Sequence, residues 1–202
     1  MLRSVLKLAF AASLIFLLAA CSTRADYVRV QDGRFVLNVQ PIDIASELED
    51  SIYTYRELLR QDEIELRYLP PEEDLPMING DPERLKQVFL NLLDNAAKYG
   101  KNGKRIIVAI ALEGDAIAIK MRDYGPGIPP EELPHVKEKF YKGSSKERGS
   151  GIGLAVCDEI VTRSGGMLTI LNAPGGGTAV AVTLPFAPES ANAKAHLTEV
   201  YE

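Results

Sequence analysis

The sequence has few of the residues that mark a disulfide-rich or a nucleic-acid-binding protein. Its two cysteines, Cys21 and Cys157, are too few for a disulfide framework, and Cys157 is expected to pack on the apolar face of a helix. Its net charge is -5, so no excess of basic residues favours binding to nucleic acid. Its 202 residues, 46% of them hydrophobic and 25% charged, are typical of one globular domain with terminal appendages.

The first 21 residues resemble a bacterial targeting segment. Arg3 and Lys7 give it a basic start, and residues 8–18 form an apolar run. That run is shorter than the roughly 20 residues that a membrane-spanning helix needs, which favours a signal peptide. The stretch Leu18–Cys21 is similar to a lipoprotein cleavage box, so Cys21 is a candidate lipidation site. An uncleaved membrane anchor stays open as the alternative.

Between the termini, hydrophobic periodicity predicts one domain over residues 35–187, preceded by a linker at 22–34 and followed by a flexible tail at 188–202. Helices are expected at 41–62, 82–99 and 151–164, and strands at 63–69, 104–112, 116–122, 167–171 and 178–184, with a further edge strand at 34–39. Residues 70–80 are expected to form a loop. Hairpins that alternate with helices predict an α/β (α+β) two-layer sandwich, whose mixed, mostly antiparallel sheet carries the helices on one face.

The central stretch of the chain is the predicted helix that contains Asn91 to Tyr99, with the sequence NLLDNAAKY. Gln87, Asn91 and Asn95 fall four residues apart on one helical face, and Lys98 lies close by. Asparagine is a poor residue for the middle of a helix because its side chain competes for backbone groups. Two asparagines one turn apart therefore indicate a task beyond packing, which we interpret as holding a metal-bound triphosphate.

Three further stretches carry residues that suit a nucleotide. Asp123 directly follows a predicted strand and precedes Gly125 and Gly127. A buried carboxylate there can accept from an exocyclic amine, although a simple loop explains such a motif more often. Gly149–Leu154 opens a helix, whose backbone N–H groups can bind phosphate. Phe140–Lys142 lies in a long charged loop, which is either a lid over a nucleotide or an ordinary surface loop.

In this order, the asparagine helix, DYGPG, KFYK and GSGIGL resemble the N, G1, F and G2 boxes of sensor histidine kinases, and GGGTAVAVTLP resembles the last strands of their catalytic domain. The resemblance covers residues 35–186. It implies the Bergerat-type ATP-binding fold that these kinases share with gyrase, MutL-type repair proteins, large heat-shock chaperones and anti-sigma serine kinases. It also implies ATP and Mg²⁺ as the ligands of the site.

The resemblance assigns roles to single residues. Asn95 would coordinate Mg²⁺, with Asn91 beside it, and Asp123 would accept a hydrogen bond from the adenine amino group. Lys142 would act near the γ-phosphate as the second catalytic residue, at a position where many relatives carry arginine. The other nucleotide-binding residues that it implies are Lys98, Tyr99, Gly125, Gly127, Ile128, Phe140, Gly149, Ser150, Gly151, Ile152, Gly153, Leu154 and Thr178.

In the family, the attacking histidine lies on a separate helical hairpin, and we expect that hairpin to be absent here. His135 falls in the proposed lid and His196 in the tail, so neither resembles the phosphoacceptor. The resemblance therefore implies transfer of the ATP γ-phosphate to a histidine supplied in trans or on a missing segment. Its implied partners are a histidine-bearing dimerisation domain and a response regulator. The alternative is a non-catalytic nucleotide-binding or membrane-attached interaction module of the same fold.

The expected location contains a conflict. A histidine kinase needs cytosolic ATP, whereas lipidation of Cys21 would accompany export of the domain. We expect the N-terminal segment to associate with the membrane and the ATP-binding domain to lie in the cytoplasm.

Overall fold

The computed structural model describes residues 36–144 and 150–186. In chain order these residues form β1 (Gln40–Ile42), α1 (Ile44–Gln61), β2 (Glu65–Leu69), β3 (Ile78–Gly80), α2 (Pro82–Tyr99), β4 (Arg105–Glu113), β5 (Ala116–Asp123), α3 (Gly153–Arg163), β6 (Met167–Asn172) and β7 (Thr178–Pro185). Short 3-10 turns lie at Lys101–Gly103 and at Leu133–His135. The three helices and the two hairpins that the sequence predicted are present.

One sheet contains the five longer strands, in the order β2-β4-β5-β7-β6. β2 pairs with β4 in parallel, and the three other neighbouring pairs are antiparallel. Along β5 the residues Ile117, Ile119 and Met121 alternate with outward-facing ones and share a single buried core with the helices. The mixed, mostly antiparallel two-layer sandwich is therefore confirmed.

The helices bury apolar stripes with residues three and four apart, as their periodicity predicted. The buried residues of α1 include Ile44, Leu48, Ile52, Tyr55 and Leu59, and those of α2 include Leu85, Val88, Leu92 and Ala96. Burying each large aliphatic side chain contributes about 1.5–3 kcal/mol. Cys157 is buried in α3, and burial raises the pKa of its thiol to about 12. The thiol is therefore neutral at physiological pH and packs as a small apolar group.

The start of α2, the helix that carries the asparagines, is fixed by its first residues. Asp81 Oδ1 accepts a hydrogen bond from the Arg84 backbone N–H at 3.1 Å, and Pro82 occupies the first helical position. Asp81 Oδ2 accepts from the Asn38 backbone N–H at 2.8 Å. One carboxylate thus caps the helix and ties the segment before β1 to it.

Several predicted boundaries were wrong, and the helix predicted from residue 41 begins only at Ile44, after β1. Residues 36–39 do not form a strand, and β1 instead pairs antiparallel with β3, inside the stretch that was predicted as a loop. The physical reason is that Ile42 and Ile78 face each other in register and both are buried in the core, whereas Val36 is exposed. Helix α3 begins at Gly153 rather than at Gly151, because Gly151 has a φ of +70°, outside the helical region.

Several predictions concern residues outside the described ranges. They are the signal peptide or anchor at 1–21 with Cys21, the linker at 22–34, the tail at 188–202 with His196, and Gly149. These stay predictions. Within residues 36–144 and 150–186, no helix has the length and the apolar character needed to cross a membrane.

Candidate nucleotide-binding site

Asp123, the last residue of β5, is the central acidic residue of the candidate site. Only 5% of the residue is exposed. Its Oδ1 accepts hydrogen bonds from the backbone N–H groups of Gly125 at 2.8 Å and Thr178 at 3.2 Å. Its Oδ2 accepts none from any other described residue. Because Oδ2 is a carboxylate oxygen that can still accept a hydrogen bond, Asp123 suits a ligand that brings an N–H group.

Three glycines let the backbone close tightly around Asp123. A Cβ on Gly125 would lie 2.7 Å from both Gly100 Cα and Tyr99 O, and a Cβ on Gly177 would lie 2.1 Å from Asp123 O. The end of α2, the turn after β5 and the start of β7 therefore meet at this point. Sequence reasoning had placed Gly125 in the site but had placed neither Gly100 nor Gly177 there.

The turn after Asp123 is held by a residue that sequence reasoning missed. Asn172, the last residue of β6, accepts from the Ile128 backbone N–H at 2.8 Å and donates to Ile128 O at 2.7 Å. Gly127 precedes this clamp with a φ of +79°, which favours glycine. The available signal was a polar residue at a strand end, directly before Ala173 and Pro174.

We expect Asn172→Ala to loosen this turn, because it leaves both backbone groups of Ile128 without a protein partner. Loss of the two hydrogen bonds should weaken adenine-nucleotide binding by about 1–2 kcal/mol, with a smaller effect on global stability. Hydrogen exchange at the Ile128 amide and nucleotide titration would measure the two effects. Asn79→Ala, at an exposed position in β3, is the matched control. Unchanged exchange at Ile128 would contradict the clamp.

The asparagine face of α2 offers amide groups that the protein itself leaves unused. Both Asn91 and Asn95 are half-buried. The Asn91 Nδ2 atom is buried without a hydrogen-bond partner, and the Asn95 carboxamide bonds to no other described residue. Amide oxygens are hard ligands that suit Mg²⁺, and amide N–H groups can donate to phosphate. Asn95 therefore fits a metal-bound phosphate group, whereas Asn91 has its Nδ2 atom buried near the Cys157 thiol.

The predicted lid and the glycine-rich turn contact each other. Phe140, with a φ of +63° and 59% of its surface exposed, donates its backbone N–H to Gly151 O at 2.8 Å. A Cβ on Gly151 would lie 2.8 Å from Tyr141 O, so the close approach requires glycine. Ser150 Oγ accepts weakly from the Ile152 N–H at 3.4 Å, just before α3 begins.

Side-chain hydrogen bonds attach the lid segment to the rest of the domain and fix its own course. Lys137 Nζ donates to Asp158 Oδ1 at 2.9 Å and to Leu168 O at 3.2 Å, which ties the segment to α3 and β6. Glu132 accepts from the Ser144 backbone N–H at 2.8 Å, and hydrogen bonding by the Ser144 side chain, and after it by this backbone group, lowers the pKa of the Glu132 carboxyl. Between these anchors the structure is loop apart from one 3-10 turn.

The predicted site residues differ in how fully the structure brings them together. Asp123, Gly125 and Thr178 are joined by hydrogen bonds, and Phe140 is joined to Gly151. Lys142 is exposed and bonds to no other described residue. The Lys98 ammonium pairs with the Asp94 carboxylate, and Tyr99 is exposed at the end of α2. Gly153 and Leu154 begin α3, and Ile152 is buried directly before it.

A comparison with protein families gives the relationship. Residues 80–188, more than half of the chain, match the model for the histidine kinase-, DNA gyrase B-, and HSP90-like ATPase family. The chain belongs to this ATPase family. The match begins at the start of α2 and includes the asparagine helix, Asp123 and the glycine-rich turn. It confirms the resemblance that the motifs carried.

Curated relatives point to one branch of the family. The chain is 34% identical over 154 residues to the adaptive-response sensory kinase SasA of Parasynechococcus marenigrum. The aligned residues make up 74% of this chain and 40% of SasA. It is 42% identical over 111 residues to the signal transduction histidine-protein kinase AfsQ2 of Streptomyces coelicolor. These aligned residues make up 54% of this chain and 20% of AfsQ2. The chain therefore spans about a fifth to two fifths of the length of these two relatives.

Solved structures agree with this branch. Full-length ShkA in complex with AMPPNP superimposes with a TM-score of 0.73 at 26% identity, over 92% of this chain and 39% of that chain. The mycobacterial sensor histidine kinase MprB superimposes with a TM-score of 0.62 at 31% identity, over 74% of this chain and 99% of that chain. The catalytic domain of the histidine kinase ThkA has the same fold, with a TM-score of 0.66 at 22% identity, over 76% of this chain and 99% of that chain.

Proposed function

We propose that this chain is the ATP-binding catalytic module of a two-component sensor histidine kinase, which transfers the ATP γ-phosphate to a histidine. The observation that carries the proposal is the buried Asp123, whose Oδ1 is taken by two backbone N–H groups while Oδ2 accepts from no other described residue. An adenine amino group would supply the missing donor. The family match and the similarity to SasA and AfsQ2 support this assignment.

Phosphate and metal would be held on the opposite side of the site by α2. Asn95 would provide its amide oxygen to Mg²⁺, and Asn91 would lie beside it on the same helical face. Mg²⁺ would neutralise phosphate charge and orient the transferring group. The Asn95 carboxamide bonds to no other described residue, whereas Asn91 Nδ2 is buried near the Cys157 thiol.

The lid side would close the phosphate site. Gly151, Gly153 and the start of α3 would present backbone N–H groups to phosphate oxygens. Lys142 would add a positive charge near the γ-phosphate, as a point charge rather than the two-pronged contact that arginine makes. The chain would contribute positioning and charge neutralisation, which are the main protein contributions to phosphoryl transfer.

The acceptor would be an imidazole nitrogen of a histidine on a dimerisation hairpin, supplied in trans or on a segment joined to this module. A P–N bond would form as the bond between the γ-phosphorus and the β-γ bridging oxygen breaks, and ADP would leave. A response regulator would then receive the phosphoryl group. His135 is a poor acceptor candidate, since it lies in a three-residue 3-10 turn of the lid segment and not on a long helix.

The test is to incubate the full chain with γ-labelled ATP and Mg²⁺, with and without the histidine-bearing hairpin of a related sensor kinase. Label should appear on the hairpin and require Mg²⁺. Saturable ATP binding without transfer to any hairpin would support the non-catalytic nucleotide-binding module instead. Failure of well-folded protein to bind adenine nucleotide would overturn both.

We expect Asn95→Ala to reduce Mg²⁺-dependent label transfer by about 100-fold or more, because it removes a ligand that fixes the metal on the phosphates. Binding of adenosine, which carries no phosphate, should be unchanged. Calorimetry and the labelling assay would measure these effects, with Asn79→Ala as the control at an exposed position. Equal loss of adenosine and ATP binding would indicate a structural role for Asn95.

The N-terminal segment is proposed to attach the module to a membrane, with the ATP-binding domain on the cytoplasmic side. Lipidation of Cys21 is the competing prediction. The mass of the mature N-terminus distinguishes them, because a lipoprotein would begin at a diacylated Cys21 and an anchor would retain residues 1–21.

A further inference from the structure

Three side chains link the core to the asparagine face of α2. The Tyr55 hydroxyl on α1 donates to Asp94 Oδ1 at 2.8 Å, and the Lys98 ammonium donates to Asp94 Oδ2. The linkage runs outward from the core: Tyr55 is buried, while the side chains of Asp94 and Lys98 are 20% and 33% exposed. We call these three residues the Tyr55–Asp94–Lys98 linkage.

The position of Lys98 on the helix makes this linkage relevant to the candidate site. Lys98 lies one turn beyond both Asp94, at i+4, and Asn95, at i+3. It therefore stands at the border between the side of α2 that faces α1 and the side that carries the asparagines. Whatever fixes the Lys98 ammonium fixes a positive charge one turn from the Asn95 carboxamide.

The hydrogen bond from Tyr55 restricts the Asp94 side chain of the Asp94–Lys98 ion pair, which an ion pair within one helix does not do by itself. An i, i+4 pair at a helix surface is weak and leaves both side chains free to change rotamer. Here a hydroxyl anchored in the core occupies one carboxylate oxygen and leaves the other for the ammonium. Burial, and after it the negative charge of Asp94, raise the pKa of the Tyr55 hydroxyl, so it remains a donor at physiological pH.

Close packing does not explain the arrangement. A cavity of about 270 Å³ between α1 and α2 is lined by Tyr55, Asp94 and Lys98, together with Asp62 and Lys101. The side chains of the linkage therefore border open space. The hydrogen bonds from Tyr55 and Lys98 occupy both carboxylate oxygens of Asp94 beside this cavity.

We propose that Tyr55 and Asp94 are positioning residues that hold the Lys98 ammonium ready for the phosphate groups of the nucleotide. The inference rests on the proposed function, because it assumes a nucleotide with its phosphates beside Asn95. Neither Tyr55 nor Asp94 touches the nucleotide itself. They act through Lys98, and their contribution is to orient its charge before binding.

The test compares ATP with adenosine, because Lys98 would act on phosphates alone. Tyr55→Phe in the full chain should weaken ATP binding by about threefold to tenfold, the size expected for disturbing a hydrogen bond to a charged group, and leave adenosine binding unchanged. In a Lys98→Met background the same change should add no further loss of ATP affinity. Tyr53→Phe, at a position of α1 that is 78% exposed, is the matched control.

Other outcomes separate this inference from the proposed function. Equal losses for ATP and adenosine, full additivity with Lys98→Met, or no loss of ATP affinity would each overturn the positioning role while leaving the nucleotide site in place. A wild-type protein that binds neither ATP nor adenosine would overturn the proposed function as well. If Tyr55→Phe does not fold, Asp94→Asn makes the same comparison, since it keeps an acceptor for Tyr55 but removes the charge that holds Lys98.

Discussion

Asp123→Asn should reduce ATP affinity by at least about 100-fold, or about 3 kcal/mol, while the domain stays folded. In the structure, the backbone N–H groups of Gly125 and Thr178 both point at Oδ1. An asparagine must therefore place its amide oxygen there, because an NH₂ group would face two donors. Its NH₂ group then takes the place of Oδ2 and meets the adenine amino group donor to donor.

Calorimetric titration with ATP and Mg²⁺ measures this effect, and thermal unfolding verifies that the fold is retained. Asp115→Asn, in the exposed hairpin turn between β4 and β5, makes the same chemical change away from the site. If the Asp123→Asn protein binds ATP as tightly as the wild type, the carboxylate does not accept a hydrogen bond from the adenine amino group.

Gly177→Ala should destabilise the domain by about 3–5 kcal/mol. Gly177 has a φ of +82°, a conformation that costs other residues about 1–3 kcal/mol. In addition, a Cβ would lie 2.1 Å from the Asp123 carbonyl oxygen. Relief of that clash requires backbone movement at the end of β5 and adds an overpacking cost of about 1–3 kcal/mol.

Gly175→Ala separates the two contributions. Gly175 has the same φ of +82°, but its Cβ would have only Arg122 Nη2, at 3.9 Å, as its nearest neighbour within 4 Å. Its expected cost is the conformational part alone, about 1–3 kcal/mol. Urea unfolding of both variants gives the difference. Equal losses would mean that the start of β7 shifts freely and that its contact with Asp123 is not required.

Local patterns were sufficient for the helices and the longer strands. Residues three and four apart placed Leu48 and Leu59 on one buried stripe of α1. The strand predicted at 116–122 is β5, in which Ile117 and Ile119 are buried. The predicted start of α2 at residue 82 agrees with the structure, where Asp81 caps the helix, because capping depends on neighbouring residues. The three-residue strands β1 and β3 were missed, since such short segments show no alternation and form only through pairing with each other.

The residues of the candidate site also fall into those that local sequence patterns predicted and those that they did not. The motifs around Asn95, Asp123 and Gly151 were recognised because each is a short run with a fixed spacing. Asn172 was not, because its partner Ile128 is 44 residues away and a single asparagine at a strand end carries no local signal. Tyr55 was placed in the core by its periodicity, but its hydrogen bond to Asp94 links two helices and was not predictable from either.

The sequence by itself determined the helices and the longer strands, the order of the motifs and the family, because those depend on residues close together in the chain. Only the tertiary structure decided that Asp123 keeps one oxygen unused, that Asn172 clamps the turn at Ile128, and that Tyr55 orients Asp94. These are contacts between distant segments. Their geometry follows from how the sheet and the helices pack, since packing alone brings such groups within hydrogen-bonding distance.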